Sequence, residues 1–312
     1  MLKNYYSLEP IESLLKNPNT LAVIGHNSGT ISTKVDSVSS GLVRLQEQDL
    51  NEVWETAGDP IVSGMSKECH WRHSSDFLFV STAATLVNGD YATAAQTAYA
   101  RLLEFIQTAD FKHPIRFWNY MPAINCGEGD LEKYRQFCTG RFNGFQESNY
   151  KNNDFPAASA VGHHTQDLLV YVICSKKPGV HHKNKLQIDA YEYPKQYGKT
   201  SPSFARATSL IVKQQNLFFI SGTASILGHA TVFEGDLLGQ IKTTENNLLQ
   251  LLKQAQKNRT HIQTMKVYIR HPEDFSTTEK YLDDVFPECQ KVYLHADICR
   301  SDLLIEIECF CI

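Results

Sequence analysis

Several features that would announce a function at once are missing from these 312 residues. No window approaches the roughly 20 apolar residues of a membrane-spanning helix. The opening stretch MetLeuLysAsnTyrTyrSerLeuGluPro lacks the uninterrupted apolar core of a secretory signal, so the expected setting is the cytoplasm. There is no run of Lys and Arg with interleaved aromatics, and a formal net charge of -4 leaves no basic footprint for a nucleic acid. Eight cysteines occur (Cys69, Cys126, Cys138, Cys174, Cys289, Cys299, Cys309, Cys311), but no two have CysXxxXxxCys spacing, and they read as mostly buried thiols of a reducing compartment. The doublets His163-His164 and His181-His182 have no Cys, Asp or Glu ligand set at metal spacing, so neither a metal nor a cofactor is expected. The second doublet, in LysLysProGlyValHisHisLysAsnLys, reads as a solvated loop or hairpin tip. What is present, 42% hydrophobic and 21% charged residues, is enough chain for one large or two medium domains with filled cores.

Two stretches of the chain follow the same order. AspPheLeuPheValSerThrAlaAla (76–84) reads as a strand, Tyr91 to Ile106 has apolar residues at helical spacing, and IleArgPheTrpAsnTyrMetPro (115–122) reads as a strand again. AsnLeuPhePheIleSerGlyThrAlaSer (216–225), a helical stretch from Thr243 to Ala255 and MetLysValTyrIleArgHisProGluAsp (265–274) repeat that pattern. Strand, helix, strand is common in unrelated chains, but the shared turn and spacing favour an internal duplication.

The closing segment carries the chemistry most open to reading. Leu303 to Cys311 is apolar except for Glu306 and Glu308, and residues two apart on a strand share a face. If that face is buried, an unpaired carboxylate is relieved by a raised pKa and becomes a proton donor near neutral pH. If the strand lies at a sheet edge, both side chains are simply in water.

With these residues the chain resembles a known fold and family. PheIleSerGlyThrAla (219–224) before a helix, then ValTyrIleArg (267–270) and the closing IleGluIleGlu (305–308), resembles the RidA/YjgF-like fold. TyrArgGlnPheCysThrGlyArg (134–141), PheProAlaAlaSerAlaValGly (155–162), TyrProLysGlnTyrGlyLysThrSerProSerPheAlaArgAla (193–207) and SerGlyThrAlaSerIleLeuGlyHis (221–229) resemble the chorismatase family, whose members remove pyruvate from chorismate. The resemblance runs from roughly Asp76 to the C-terminus, and residues 1 to about 70 match less well. It implies an α+β architecture of two RidA/YjgF-like (chorismate-mutase-like) halves packed together, with mixed β-sheets and helices on one face. Residues 1–150 would form a degenerate N-terminal half with an extension, and 151–312 the catalytic half. Oligomeric state stays open between a monomer with an internal site and a trimer.

Chorismate carries two carboxylates and an enol ether, so its site needs permanent cations and a proton donor. The resemblance assigns proton transfer to Glu306, to the methylene carbon of the enolpyruvyl group. It assigns substrate binding to Arg141 and Arg206, with Arg135, Tyr134 and Tyr197 as further candidates. Glu308 either raises the pKa of Glu306 or lies beyond the pocket as a structural group. Gly222 and Cys299 resemble the branch that forms 3-hydroxybenzoate, with or without 4-hydroxybenzoate, rather than the branch in which water gives a dihydrodiol; Cys299 as a plain buried thiol is the bland alternative. Two other readings remain. A RidA-type enamine/imine deaminase holds its substrate carboxylate with an arginine about fifteen residues before the strand glutamate. That position falls near Lys291 here, which weakens the deaminase reading although a lysine can bind a carboxylate as a point charge; a non-catalytic binding module would lack the acid.

Overall fold

The computed structural model describes residues 1–26, 31–58 and 60–312. Three sheets surround one interior. The N-terminal sheet runs in the order Leu2–Ser7, Asn51–Thr56, Thr20–Gly25, Val38–Ser39, Ser32–Thr33. The middle sheet runs Asp297–Ile298, Ala157–His163, His113–Pro122, Leu168–Ser175, Phe77–Ala84, Cys69–His73, Val62–Ser66. The C-terminal sheet runs Val180–His182, Ala207–Val212, Gln215–Ala224, Ile305–Cys311, Ile262–Ile269, Gln290–His295, Val43–Arg44.

The middle and C-terminal sheets have the same plan, which deepens the duplication seen in the sequence. In each, two antiparallel strands lead into a helix, a central strand, a second helix and a strand parallel to the central one. The last strand then inserts between the second strand and the central one. The shared plan extends to side chains. Tyr120 pairs with Leu169 in the middle sheet as Tyr268 pairs with Glu306 in the C-terminal one, and the two tyrosine hydroxyls lie 3.2 Å apart. The first copy therefore carries a leucine where the second carries its acid.

Helix positions follow from capping and periodicity. Asp90 accepts from the Thr93 N–H at the start of Tyr91–Thr108, whose apolar stripe (Ala95, Ala98, Tyr99, Leu102, Ile106) is buried on the middle sheet. Lys133–Glu147 lies against that helix through Gly140 and Gly144. A Cβ on Gly140 would sit 2.0 Å from the Ala92 carbonyl oxygen, and one on Gly144 would sit 2.6 Å from the Tyr99 Cβ, so only glycine lets the helices approach this closely. Leu237–Gln254 begins six residues before the expected Thr243, where Asp236 caps the Gly239 N–H. With Phe275–Val285 it covers the outer face of the C-terminal sheet over Ile305, Ile307, Cys309 and Cys311. The inner faces of all three sheets meet around Trp54, Trp118, Tyr171, Phe219 and Phe310.

Several expectations change at this level. The final strand is paired on both sides, so it is an interior strand and the reading of an edge with solvated glutamates fails. The His181-His182 doublet is a half-buried strand rather than a loop, because Thr208 and Ser209 on the neighbouring strand offer hydroxyls to the two imidazoles at 3.0 and 2.8 Å. The middle sheet continues past residue 150 to Ser175, so strand pairing puts the seam between the halves at about the 175–180 turn. The first strand is tied to the C-terminal sheet: the Leu2 backbone exchanges two hydrogen bonds with the Gln215 side chain, and the Tyr6 hydroxyl donates to the Met265 carbonyl at 3.0 Å. Among the described residues no helix is long and apolar enough to cross a membrane.

Candidate active site

Where the two copies meet, the Ala157–His163 strand of the middle sheet runs beside the Gln215–Ala224 strand. The Ala157 and Ala158 N–H groups donate to Thr208 Oγ1 and Ser221 Oγ at 2.8 and 3.0 Å, and the Gly222 N–H donates to Ser159 Oγ at 2.9 Å. Gly222 lies in an irregularity between Ile220 and Thr223, where pairing with the final strand is interrupted. The segment after Gln290–His295 crosses over to the middle sheet, pairing Asp297 and Ile298 with Gly162 and Val161, before it returns as the final strand. That detour brings Cys299 and Arg300 to the seam. Arg270 pins it by donating to the carbonyls of Leu303, Ile298 and Arg300 at 2.7 to 2.9 Å and by pairing with Asp297.

The resulting pocket has Glu306, Gly222 and Ser159 on one wall, Tyr134 and Arg141 from the Lys133–Glu147 helix on another, and Tyr193, Tyr197, Phe204, Arg206 and Arg300 around the rest. Glu306 is 4% exposed. Burial pushes its pKa up, the charge of Glu308 adds to this, and the opposing pulls of Arg116 and Arg206 leave it at about 8 against an ordinary 4.5. The carboxyl is therefore protonated at neutral pH. Burial, and next Glu306, hold the Cys299 thiol up at about 12, which keeps it neutral and rules out a thiolate there.

Three cations of the pocket have no acidic partner among the described residues. Arg141 is buried, its guanidinium lying over the Phe137 and Phe204 rings at 4.9 and 5.9 Å. Arg206 lies over the other side of the same pocket, 5.4 Å from the Phe204 ring, and donates to the Tyr193 hydroxyl and the Ile188 carbonyl. Arg300 stacks 4.0 Å over Tyr197. Among the described residues none of these three forms an ion pair with an Asp or Glu. Each also keeps one buried nitrogen without a partner: Arg141 Nε, Arg206 Nε and Arg300 Nη2. Buried guanidinium nitrogens left open in this way are costly unless an anion completes them. Arg135 differs, since Glu132 already pairs with it at 2.8 Å.

The sequence and the fold have counterparts among known proteins. The N-terminal chorismatase FkbO/Hyg5-like family model matches residues 52–174, and the endoribonuclease L-PSP family model matches residues 199–312. A 3-hydroxybenzoate synthase of Streptomyces hygroscopicus is 31% identical over 310 residues, covering 93% of this chain and 91% of its own. The chain belongs to the chorismatase family. A chorismatase of the same organism is 32% identical over 304 residues, covering 92% of this chain and 88% of its own. A chorismatase crystal structure at 1.08 Å resolution is similar with a TM-score of 0.90 at 28% identity, over 100% of this chain and 98% of that one. The similarity therefore includes residues 1 to 70, where the sequence motifs are weak.

All eight residues singled out in the sequence (Glu306, Cys299, Arg141, Arg206, Tyr197, Tyr134, Arg135, Gly222) line this one chorismatase pocket. Lys291, which stands near the position of a deaminase's carboxylate-binding arginine, lies elsewhere in a surface hollow with Asp283, to which it is paired at 2.9 Å. Sequence reasoning missed Arg300, Ser159 and Tyr193. Arg300 was the most findable of them, being the charged neighbour of Cys299 just ahead of a buried strand. Glu308 also takes a definite place. Burial alone would raise its pKa, but Lys266 and Arg116 outweigh this and hold it below its ordinary value, so it stands ionised behind the pocket.

Proposed function

We propose that this enzyme removes pyruvate from chorismate and leaves 3-hydroxybenzoate, with Glu306 as the proton donor. The observation that carries the reading is a carboxyl held protonated at neutral pH in a pocket with three guanidinium groups that lack counterions. Two carboxylates on the substrate match that excess of positive charge, and the planar fork of arginine suits them. Arg141, Arg206 and Arg300 hold the carboxylates, with Tyr134 and Tyr197 at the remaining oxygens and Arg135, already paired with Glu132, in a lesser part. Glu306 passes its proton to the methylene carbon of the enol ether. The carboxylate that remains stabilises the oxocarbenium-like centre opposite it. The ether bond to the ring then breaks, its electrons going to the oxygen that becomes the pyruvate carbonyl. The ring's own hydroxyl oxygen bonds to the carbon so vacated, its bond to its original carbon breaks, and the ring proton lost on aromatisation returns to the Glu306 carboxylate. Chorismate divides into hydroxybenzoate and pyruvate with no other atom entering, so no cofactor is called for.

Both walls of the pocket come from one chain, so the reading requires no second copy at the site. A cytoplasmic setting belongs to it too, since Cys69, Cys138, Cys174, Cys289, Cys309 and Cys311 are buried as free thiols. The test is to incubate the purified protein with chorismate, assay pyruvate by coupled reduction and separate the aromatic products by chromatography. Pyruvate in equal amount to hydroxybenzoate is expected. A non-aromatic dihydrodiol would move the enzyme to the hydrolytic branch, and no pyruvate at all would overturn the reading.

A further inference from the structure

The wall beside Glu306 holds two hydrogen-bond donors, and neither points at the acid. An added Cβ on Gly222 would stand 1.9 Å from Glu306 Oε1 and 2.9 Å from Ser159 Oγ, so the carboxyl and the hydroxyl flank the same backbone position. A serine hydroxyl has one hydrogen to give and two lone pairs to fill. Ser159 gives its hydrogen to Glu308 Oε2 at 2.6 Å. Its lone pairs are filled by Arg116 Nη2 at 2.5 Å and by the Gly222 N–H at 2.9 Å. The hydroxyl is saturated and the Gly222 N–H is spent on it.

What fixes this arrangement is Glu308. Its carboxylate accepts from Arg116 at 2.8 Å, Trp118 Nε1 at 2.6 Å and the Tyr268 hydroxyl at 3.0 Å, besides Ser159. Lys266 stands 3.2 Å away on the other oxygen and is itself paired with Glu52 at 2.8 Å. Arg116, Ser159 and Lys266 are each no more than 3% exposed. Buried charges with this many partners have one arrangement available to them.

We propose that Glu308 and Ser159 are positioning residues for the reaction: together they turn the donors of the pocket wall away from Glu306 and so reserve its proton for the substrate. A serine hydrogen or backbone N–H aimed at Glu306 would stabilise its carboxylate and release the proton to water; here both are committed elsewhere. The fixed negative charge of Glu308, on the same face of the strand, acts in the same direction. The other charges that reach Glu306 are Arg116 from the middle sheet and Arg206 across the pocket, while Tyr134 from the helical wall and Cys299 stand beside it as neutral titratable groups. The two arginines oppose Glu308, and Ser159 and Glu308 together keep Arg116 engaged.

This inference rests on the reading of Glu306 as the acid, and one set of pH profiles separates the two. The measurement is kcat/KM for pyruvate release from chorismate between pH 5 and 10, for the full-length protein and four variants, Ser159→Ala, Ser159→Thr, Glu308→Gln and Glu306→Gln. Ser159→Ala frees the Gly222 N–H and one of the two N–H groups of Arg116 Nη2, the other staying on Glu308, and Glu308→Gln removes the fixed charge. In both, the high-pH loss of activity is expected to move down by about one pH unit or more. Ser159→Thr keeps the hydroxyl and is expected to keep the wild-type midpoint. A uniform fall in rate with an unmoved midpoint in Ser159→Ala would overturn the proposal, leaving Ser159 merely structural. If Glu308→Gln does not fold, the Ser159→Ala and Ser159→Thr pair decides alone. A wild-type profile with no high-pH loss, or full activity in Glu306→Gln, would remove Glu306 as the acid and this inference with it.

Discussion

A Cβ on Gly222 would stand 1.9 Å from Oε1 of Glu306. The acid thus occupies the space that any other residue at position 222 would fill. Steric room and not backbone freedom is the reason for glycine here, since Gly222 is not among the glycines with positive φ.

Gly222→Ala is accordingly expected to leave the fold intact and to displace the Glu306 carboxyl. Misplacing a reacting group by about 1 Å costs on the order of 10²-fold in rate. Steady-state pyruvate release, set beside an unchanged circular dichroism spectrum, checks this. Wild-type turnover in Gly222→Ala would mean that Glu306 tolerates displacement and that tight packing there is incidental.

Glu306→Gln keeps the side chain's shape and removes its transferable proton. Pyruvate release is expected to fall by about 10²- to 10⁴-fold. Stability should move the other way. The folded pKa of about 8 lies above the ordinary 4.5, so the stability that goes with protonated Glu306 is full below pH 4.5 and is lost as pH rises to 8. At pH 9 the wild-type protein carries that whole penalty and Glu306→Gln carries none. The variant should then be more stable by on the order of 1–3 kcal/mol, a gain that vanishes near pH 4. Urea unfolding at the two pH values reads it directly.

The same pKa fixes the pH dependence of activity. The competent form is the protonated one, so kcat/KM should be level through neutral pH and fall tenfold per unit above a midpoint near 8. Ionised Glu52 and Glu308 do not contribute to that limb, because Lys266 holds both below the ordinary carboxylate range. A midpoint near 5 would mean that water reaches Glu306 freely.

How much of this was legible beforehand depends on how local the cause was. Alternation along 303–311 placed Glu306 and Glu308 on one face, and helical spacing located Tyr91–Thr108, because neighbours in sequence decide both. The fate of each glutamate was not legible. Glu308 is ionised and Glu306 protonated because Lys266 and Arg116 pair with the first and not the second, and the Arg116 contact, 192 residues away in sequence, depends on how two sheets face each other. Arg300 was hidden for a similar reason, since a crossing to the opposite sheet and not a motif brings it to the pocket. The His181-His182 strand was concealed by flanking lysines, which suggest solvent, whereas its partners Thr208 and Ser209 lie on a strand further on. The N-terminal strands gave no motif because Leu2, Tyr6, Leu21, Ile24 and Trp54 close the interior, for which many apolar sequences serve.

The three uncompensated guanidinium groups should behave as substrate ligands and not as structural cations. Arg141→Ala, Arg206→Ala and Arg300→Ala are each expected to weaken binding of a chorismate analogue by about 2–5 kcal/mol where the carboxylate they meet is desolvated. Lysine at 141 or 206 should recover only part of this, because the forked geometry is lost. Arg135→Ala should cost least, since Glu132 already neutralises that side chain. Calorimetric titration ranks the four, and normal binding by the Arg141 and Arg206 alanine variants would put the substrate elsewhere.

The product depends on whether water reaches the reacting ring. The Cys299 thiol stays neutral and half-buried near Glu306 and fills space there without offering a nucleophile of its own or a charge that would draw water in. In heavy-oxygen water the wild-type enzyme is therefore expected to give hydroxybenzoate whose ring hydroxyl carries no label, because that oxygen comes from chorismate. Cys299→Ala removes the sulfur and widens the pocket that Cys299 and Glu306 both line. Mass spectrometry of its products should show some flux diverted to a labelled, non-aromatic dihydrodiol, with total pyruvate release changed less than the product ratio. Label in the wild-type hydroxybenzoate would show that water takes part even in the closed pocket. An unchanged product ratio in Cys299→Ala would separate the thiol from the outcome and leave the fit of the ring against Gly222 and Phe204 as the deciding contact.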